Sequence, residues 1–336
     1  MTYQKKAQVE VSFNWVFILI AGAVILFFFL RLITTEMDIT ETATQQRTVA
    51  RMSSLLTAIQ QNPDSISIRD QLNQEIQFEC SAGNHEYGIP GSSARNSLPH
   101  QLIFTPEIIG NSRPIAWVRS FDTPFPVAPI LYLTDPHTHY VFLKDGDSEY
   151  IVEKYYELLP DNMTKSLISA SDIGSLSQDY RRYIIIAHEN IEESSLNGID
   201  NRIRNTNEYI IKLGNDEELT FQDTQRESQK IEGLSEDAII GAIISGNKEL
   251  FECTMTKILE QIRITTEINL MRVIKIHEAY PAGSSCKPLY SNILQNAFDD
   301  LVQVAQDENY LKIRTKEGII RARNNNLLSA GCATIY

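Results

Sequence analysis

The sequence predicts a mixed head of α+β or α/β class. It is carried on a long N-terminal transmembrane-plus-stalk helix and completed by a C-terminal helical hairpin or bundle region. Three observations predict this. An uninterrupted apolar run, Val11 to Leu30, lies near the start of the chain. Short β-rich runs separated by turn signals fill residues 64 to 230, and from Leu234 onward apolar residues recur at helical spacing.

The apolar run holds twenty residues without a charge. At ~1.5 Å per residue it spans about 30 Å, the thickness of a bilayer's hydrocarbon core. Lys5 and Lys6 precede it, as in a secretory signal, but such apolar regions are usually ~7–15 residues and end at a small-x-small site. Here Phe27-Phe28-Phe29-Leu30 leads into Arg31, Leu32 and Ile33, so the segment reads as a retained signal anchor. Trp15 and Arg31 stand where interfacial side chains are favourable. A cytoplasmic tail, 1–10, and a transmembrane helix, 11–33, follow from this reading. The tail carries two lysines against Glu10, and the segment beyond the run carries Glu36, Asp38 and Glu41 besides Arg31. The positive-inside bias then places the bulk of the chain extracytoplasmically at a cell membrane, with the bilayer as first partner.

No glycine or proline occurs from Ala23 to Asn62, and Pro63 ends the stretch. Met52, Leu55, Leu56 and Ile59 follow i, i+3, i+4, i+7 spacing, which predicts a helical stalk over 34–62 whose distal half packs on the head.

Residues 64–230 are expected to form the α/β part. Strand-like runs are Ile76–Cys80, Leu102–Thr105, Ile115–Arg119, Ile130–Leu133, Tyr140–Lys144, Tyr183–Ala187, Tyr209–Leu213 and Leu219–Gln222. Gly88-Ile89-Pro90-Gly91, Thr123–Pro129 and Asp145-Gly146-Asp147 punctuate them. Tyr183–Ala187 lacks alternation, as a central strand buried on both faces would. Tyr150–Leu159 and Ser195–Arg204 read as helices, and polar Gly214–Gly233 reads as a linker or exposed loop.

Over 231–336 the expectation is a helical region with a short β tail, packed on the α/β part. Ser235 caps Glu236–Ser245, Gly246-Asn247 breaks it, and Lys248–Tyr280 runs without glycine or proline. A turn at Pro281–Ser285 leads into a helix over Leu289–Gln306. Leu311–Arg314 and Gly318–Ala322 read as a final β-like pair.

Formal net charge is −13, with the first thirty residues contributing +1 and the rest −14. Such a head repels phosphate backbones, and no basic cluster with interleaved aromatics occurs, which argues against nucleic acid as a partner. Cys80, Cys253, Cys286 and Cys332 all follow the apolar run, and an even count in an oxidising compartment implies two disulfides. Along an unbroken Lys248–Tyr280 helix Cys253 lies ~40 Å from Tyr280, whereas the six residues to Cys286 reach back at most ~20 Å. Cys253–Cys286 is thereby disfavoured. Cys253–Cys332 with Cys80–Cys286 is preferred to Cys80–Cys253 with Cys286–Cys332, because the helix from Leu289 runs back toward Cys253. Asn162-Met163-Thr164 is a glycosylation sequon at Asn162.

Chemistry-bearing clusters are few. Asp135-Pro136-His137-Thr138-His139 would place His137 and His139 on one face if extended, a workable pair of metal ligands. An ordinary polar connection with two exposed imidazoles is the favoured reading, because no HExxH helix or other spaced ligand motif occurs. His188-Glu189-Asn190 follows a buried strand's carboxyl end, where open α/β sheets place ligands. An acid–base pair there competes with plain loop residues. Gly83, Gly88 and Gly91 lack the lysine and helix of a phosphate loop, and no GxSxG occurs. No cofactor is implied.

Lys5-Lys6-Ala7 before Gln8 and an apolar helix resembles the processing context of archaeal type IV pilin-like precursors. That resemblance implies cleavage between Ala7 and Gln8 and a helix acting as assembly stem. The acid, Glu10, would be third in the mature chain, where pilins usually carry glutamate at the fifth position. More broadly, the chain resembles single-pass membrane proteins of small-genome archaea. The carrying residues are Lys6–Phe13, Phe78-Glu79-Cys80, Pro124–Val127, Phe251-Glu252-Cys253 and Gly331-Cys332 near Tyr336. This resemblance implies a shared head and no activity. The expectations are therefore an envelope scaffold or binding module engaging other membrane or envelope proteins, a pilin-like subunit, or a membrane-tethered hydrolase.

Overall fold

From Ala23 to Gln60 the stretch that lacks helix breakers lies within a single helix, α1 (Gln4–Gln60), 57 residues long. The computed structural model describes residues 4–60, 71–144, 149–176, 180–191, 207–215, 218–222 and 228–336. The expected stalk end at Asn62-Pro63 and the expected helix Ser195–Arg204 lie outside them. In the distal turns of α1, Val49, Met52, Leu56 and Ile59 are buried. Their steps of three and four residues make one stripe. Met52 and Leu56 are wholly buried, each worth about 1.5–3 kcal/mol by transfer from water.

The stripe packs on an antiparallel sheet of order β3-β2-β1-β5, formed by β1 (Ile76–Ser81), β2 (Asn84–Gly88), β3 (Arg95–Leu98) and β5 (Ile108–Ile109). A second sheet, β4-β7-β6, comprises β4 (Ile103–Phe104), β6 (Ile115–Phe121) and β7 (Ala128–Thr134). Period-2 alternation divides its side chains between two cores. Ala116, Val118, Leu131 and Leu133 join the core around α1, while Trp117, Phe121, Ile130 and Tyr132 join the main core.

The third sheet has order β13-β12-β11-β10-β8-β9. It uses β8 (Thr138–Lys144), β9 (Lys165–Ser169), β10 (Arg182–His188), β11 (Asn207–Leu213), β12 (Leu219–Gln222) and β13 (Ser228–Ile231). The pairs β11–β10, β10–β8 and β8–β9 are parallel, and the β12–β13 hairpin continues the sheet antiparallel. Every residue of β10 is buried, as its unalternating apolar run requires. Between β8 and β9 the chain forms α2 (Glu149–Leu158). The expected linker Gly214–Gly233 is corrected in its described part: β12 and β13 make it the sheet's edge.

Among the described residues four further α-helices follow: α3 (Glu236–Ser245), α4 (Lys248–Ala279), α5 (Asn292–Gln306) and α6 (Tyr310–Ser329). Ser235 Oγ accepts the Ala238 N–H at the start of α3, and Asn247 Oδ1 accepts the Glu249 and Leu250 N–H groups at the start of α4. From Ala238 to Ser245 α3 is buried on all sides, and Gly241 lets the Phe104 ring approach, since a Cβ there would stand 2.4 Å from it. Leu250 of α4 faces the core around α1, whereas Phe251, Met255, Ile258 and Ile262 face the main core, which reaches from Leu102 to Ile335. The molecule is a mixed α+β structure with one N-terminal apolar helix and a helical C-terminal region.

Two sequence expectations fail together here. Leu311–Arg314 and Gly318–Ala322 are not a β pair; both lie in α6, begun by Asn309 Oδ1 accepting the Lys312 N–H. The buried residues Ile313, Ile320 and Leu327 are seven apart, two helical turns, which the local Leu-Lys-Ile-Arg alternation conceals. The disulfides are Cys80–Cys253 and Cys286–Cys332, with Cα separations of 6.0 and 5.7 Å. They are not Cys253–Cys332 and Cys80–Cys286. The physical reason is α6: α5 does run back along α4, but twenty further helical residues carry the tail ~30 Å the other way, to the Cys286 end.

Candidate functional site

From Trp15 to Leu32 every side chain of α1 except Ala21 is exposed, although the segment is apolar all round. Trp15, Phe17 and Phe27 are each 67–69% accessible. Among the described residues no other element covers this surface, and by length and composition the segment is able to cross a membrane. A helix apolar on every face needs an apolar surrounding. The segment of Lys5, Lys6, Ala7 and Gln8 is helical, inside α1.

At its far end α1 is locked to the first sheet. Tyr87 Oη donates to Val49 O (3.1 Å) and receives Asn96 Nδ2–H (3.1 Å), and Ser92 Oγ donates to Gln45 Oε1 (2.6 Å). Apolar burial and these bonds make span and head a single rod-and-body unit.

The sequence-nominated histidines do not converge on a metal. His137 lies in the turn before β8, where Asp135 Oδ1 accepts its backbone N–H (2.9 Å). His139 is buried, with Nε2 3.0 Å from Ser166 Oγ and its ring against Tyr180 and Tyr183 at 4.5 and 5.6 Å. Burial lowers its pKa, which keeps it neutral near pH 7. Among the described residues no group of three His, Cys, Asp or Glu is placed to hold a metal ion, so the two imidazoles find no third ligand there. His188 closes β10: Nδ1 accepts the Asn190 N–H and Nε2 lies 3.3 Å from Asn215 Oδ1. The ring thus ties the turn after β10 to the residues just beyond β11. Asn162 is exposed in the turn that precedes β9.

A polar cluster without any local sequence signal lies where β2 meets α4. His85 Nε2 is 2.7 Å from Thr254 Oγ1, whose hydroxyl is also 2.6 Å from Ile103 O. A carbonyl accepts only, so we assign the hydroxyl hydrogen to Ile103 and the imidazole proton to Nε2. Lys257 Nζ donates to Leu98 O (2.8 Å). Burial lowers His85 to about 3, with the Lys257 charge acting in the same sense, and burial lowers Lys257 as well. The hydroxyl–imidazole spacing matches a nucleophile and base. However, both groups are wholly buried and the hydroxyl proton is already committed, so the cluster is a clamp between sheet and helix.

Compared with protein-family models, curated proteins and solved structures, the chain matches none.

Proposed function

We propose that the chain is a single-pass membrane protein that holds an acidic, disulfide-bonded head on the extracytoplasmic side, where it acts as an envelope scaffold or binding module. One observation carries this reading. The exposed apolar span and the buried stripe that enters the head belong to one unbroken helix. From Leu32 to Val49 the rise is ~25 Å, so the head is held at a set height by a rod rather than on a flexible tether. Two disulfides support an oxidising compartment. The lysines of the short tail support a cytoplasmic N-terminus, and exposed Asn162 supplies a glycan acceptor on the outer face. The partners that fit are the bilayer and other envelope proteins. Crosslinking in native membranes followed by mass spectrometry tests this: a recurrent envelope partner is expected, and recovery of monomer alone contradicts it.

The same rod-and-head shape also supports a second reading, a pilin-like assembly subunit whose span is the stem. The mature N-terminus separates the two. A start at Gln8 supports the subunit, and a start at Met1 or Thr2 rejects it.

A further inference from the structure

We infer that the cleft where α1 meets the head binds a soluble small anion bearing a carboxylate or phosphate group. The cleft holds about 540 Å³, within the ~300–1,000 Å³ typical of small-molecule sites. Arg51 projects from the α1 wall, and Arg113, Gln71 and Asn73 come from the opposite wall. That opposite wall is assembled by a backbone bond: the Leu72 N–H donates to Ser112 O (2.9 Å), which sets Arg113 beside residues 71–73.

Charge identifies the ligand class. Among the described residues no carboxylate lines the cleft, although the chain carries −13. Arginines elsewhere on the head that do find a carboxylate include Arg95 with Glu79, Arg119 with Asp237 and Arg181 with Glu75. Arg51 and Arg113 have no ion-pair partner among the described residues. The planar forks of two guanidinium groups lining one cleft suit carboxylate or phosphate oxygens. Thr48 and Ser54, also in the lining, donate their hydroxyl hydrogens to Thr44 O and Ala50 O of their own helix. The available donors are therefore the guanidinium groups and the Gln71 and Asn73 amides. Leu55 and Leu72 add an apolar wall for a small organic body.

The position decides between a lipid headgroup and a soluble source. Arg51 is nineteen residues beyond Leu32, ~28 Å along α1, whereas headgroups extend only ~5–8 Å past the hydrocarbon. Even a helix tilted by ~40° leaves the cleft beyond their reach. The inference deepens the binding-module reading and rests on it only for the compartment that supplies the ligand; binding by purified protein is independent of orientation, so the two fail separately.

The test is calorimetric titration of the full chain in zwitterionic nanodiscs with inorganic phosphate and with citrate. Saturable binding of at least one is expected, weakened at least tenfold by Arg51→Gln with Arg113→Gln and changed less than twofold by Arg47→Gln, a helix arginine outside the cleft. Amide hydrogen exchange on the unsubstituted protein should slow at Leu72 with the bound anion, which covers the case of a variant that misfolds. Absence of saturable binding by both anions overturns the inference, as does equal loss in Arg47→Gln. Phosphate binding abolished by phosphatidylglycerol in the disc assigns the cleft to a headgroup and overturns the soluble source.

Discussion

His85 on β2 sits directly opposite Cys80 on β1, and its Nε2 contacts Thr254, the neighbour of Cys253, at 2.7 Å. The Cys80–Cys253 disulfide and the His85–Thr254 hydrogen bond therefore join the same hairpin to the same turn of α4, one covalently and one through a proton-sensitive group. Unfolded His85 takes up a proton below its ordinary 6.5, while the folded imidazole stays neutral to about 3. Stability from this site is complete above pH 6.5, declines as pH falls, and is exhausted near 3, a span on the order of 4–5 kcal/mol. Denaturant titrations in micelles between pH 7.5 and 4 should show a steeper loss in the natural chain than in His85→Leu, which leaves Thr254 bonded to Ile103. Parallel pH profiles would remove the clamp from the account.

Disulfide mapping gives a second check. Non-reducing peptide mapping of natively sourced protein should recover Cys80 linked to Cys253 and Cys286 linked to Cys332. The sequence separations of 173 and 46 correspond to about 5 and 4 kcal/mol of denatured-state restriction in the chain-entropy model. Replacing Cys80 and Cys253 by alanine should accordingly lower stability somewhat more than replacing the other pair. Recovery of a Cys253–Cys332 peptide would refute the tail path given by α6.

Gly241 tests the packing of the buried helix α3. Its missing Cβ would lie 2.4–2.6 Å from Phe104, whose ring is held between Tyr132 and Phe251 at 5.7 and 5.8 Å. The ring has no free direction, so Gly241→Ala should cost about 1–3 kcal/mol despite alanine's better helix propensity. Thermal unfolding of the variant measures this, and an unchanged or raised Tm would count against the packing.

Neighbouring isoleucines report on α6. Ile320 is wholly buried and Ile319 is 42% accessible. Ile320→Ala should cost about 2–4 kcal/mol, and Ile319→Ala less than about 1 kcal/mol. Equal effects of the two substitutions would be incompatible with the helical placement.

Strands whose inward residues are aliphatic or aromatic are readable in the sequence, β6, β7, β8 and β10 among them. The β2–β3 hairpin is not: its inward residues on β2 are His85 and Tyr87, which break the apolar alternation that marks a half-buried strand. Edge strand β9 is half-buried nearly throughout and lacks a two-faced pattern for the same reason. The caps Ser235 and Asn247 make α3 and α4 legible, whereas α6 is hidden by an alternation of Leu, Lys, Ile and Arg within its first turn. The arginine cleft joins residues 48–55, 71–73 and 113, far apart in the chain. No local motif can announce a site built by the docking of a stalk.

We propose that α1 crosses the membrane and holds the head outside it. Protease added to sealed right-side-out membrane vesicles, followed by a carbonate wash and mass spectrometry of the membrane pellet, tests it most directly. The expected result is a head that is digested or released and a fragment containing Trp15–Leu32 that stays in the pellet. A head fully protected until detergent is added, or a chain removed whole by carbonate, would contradict it.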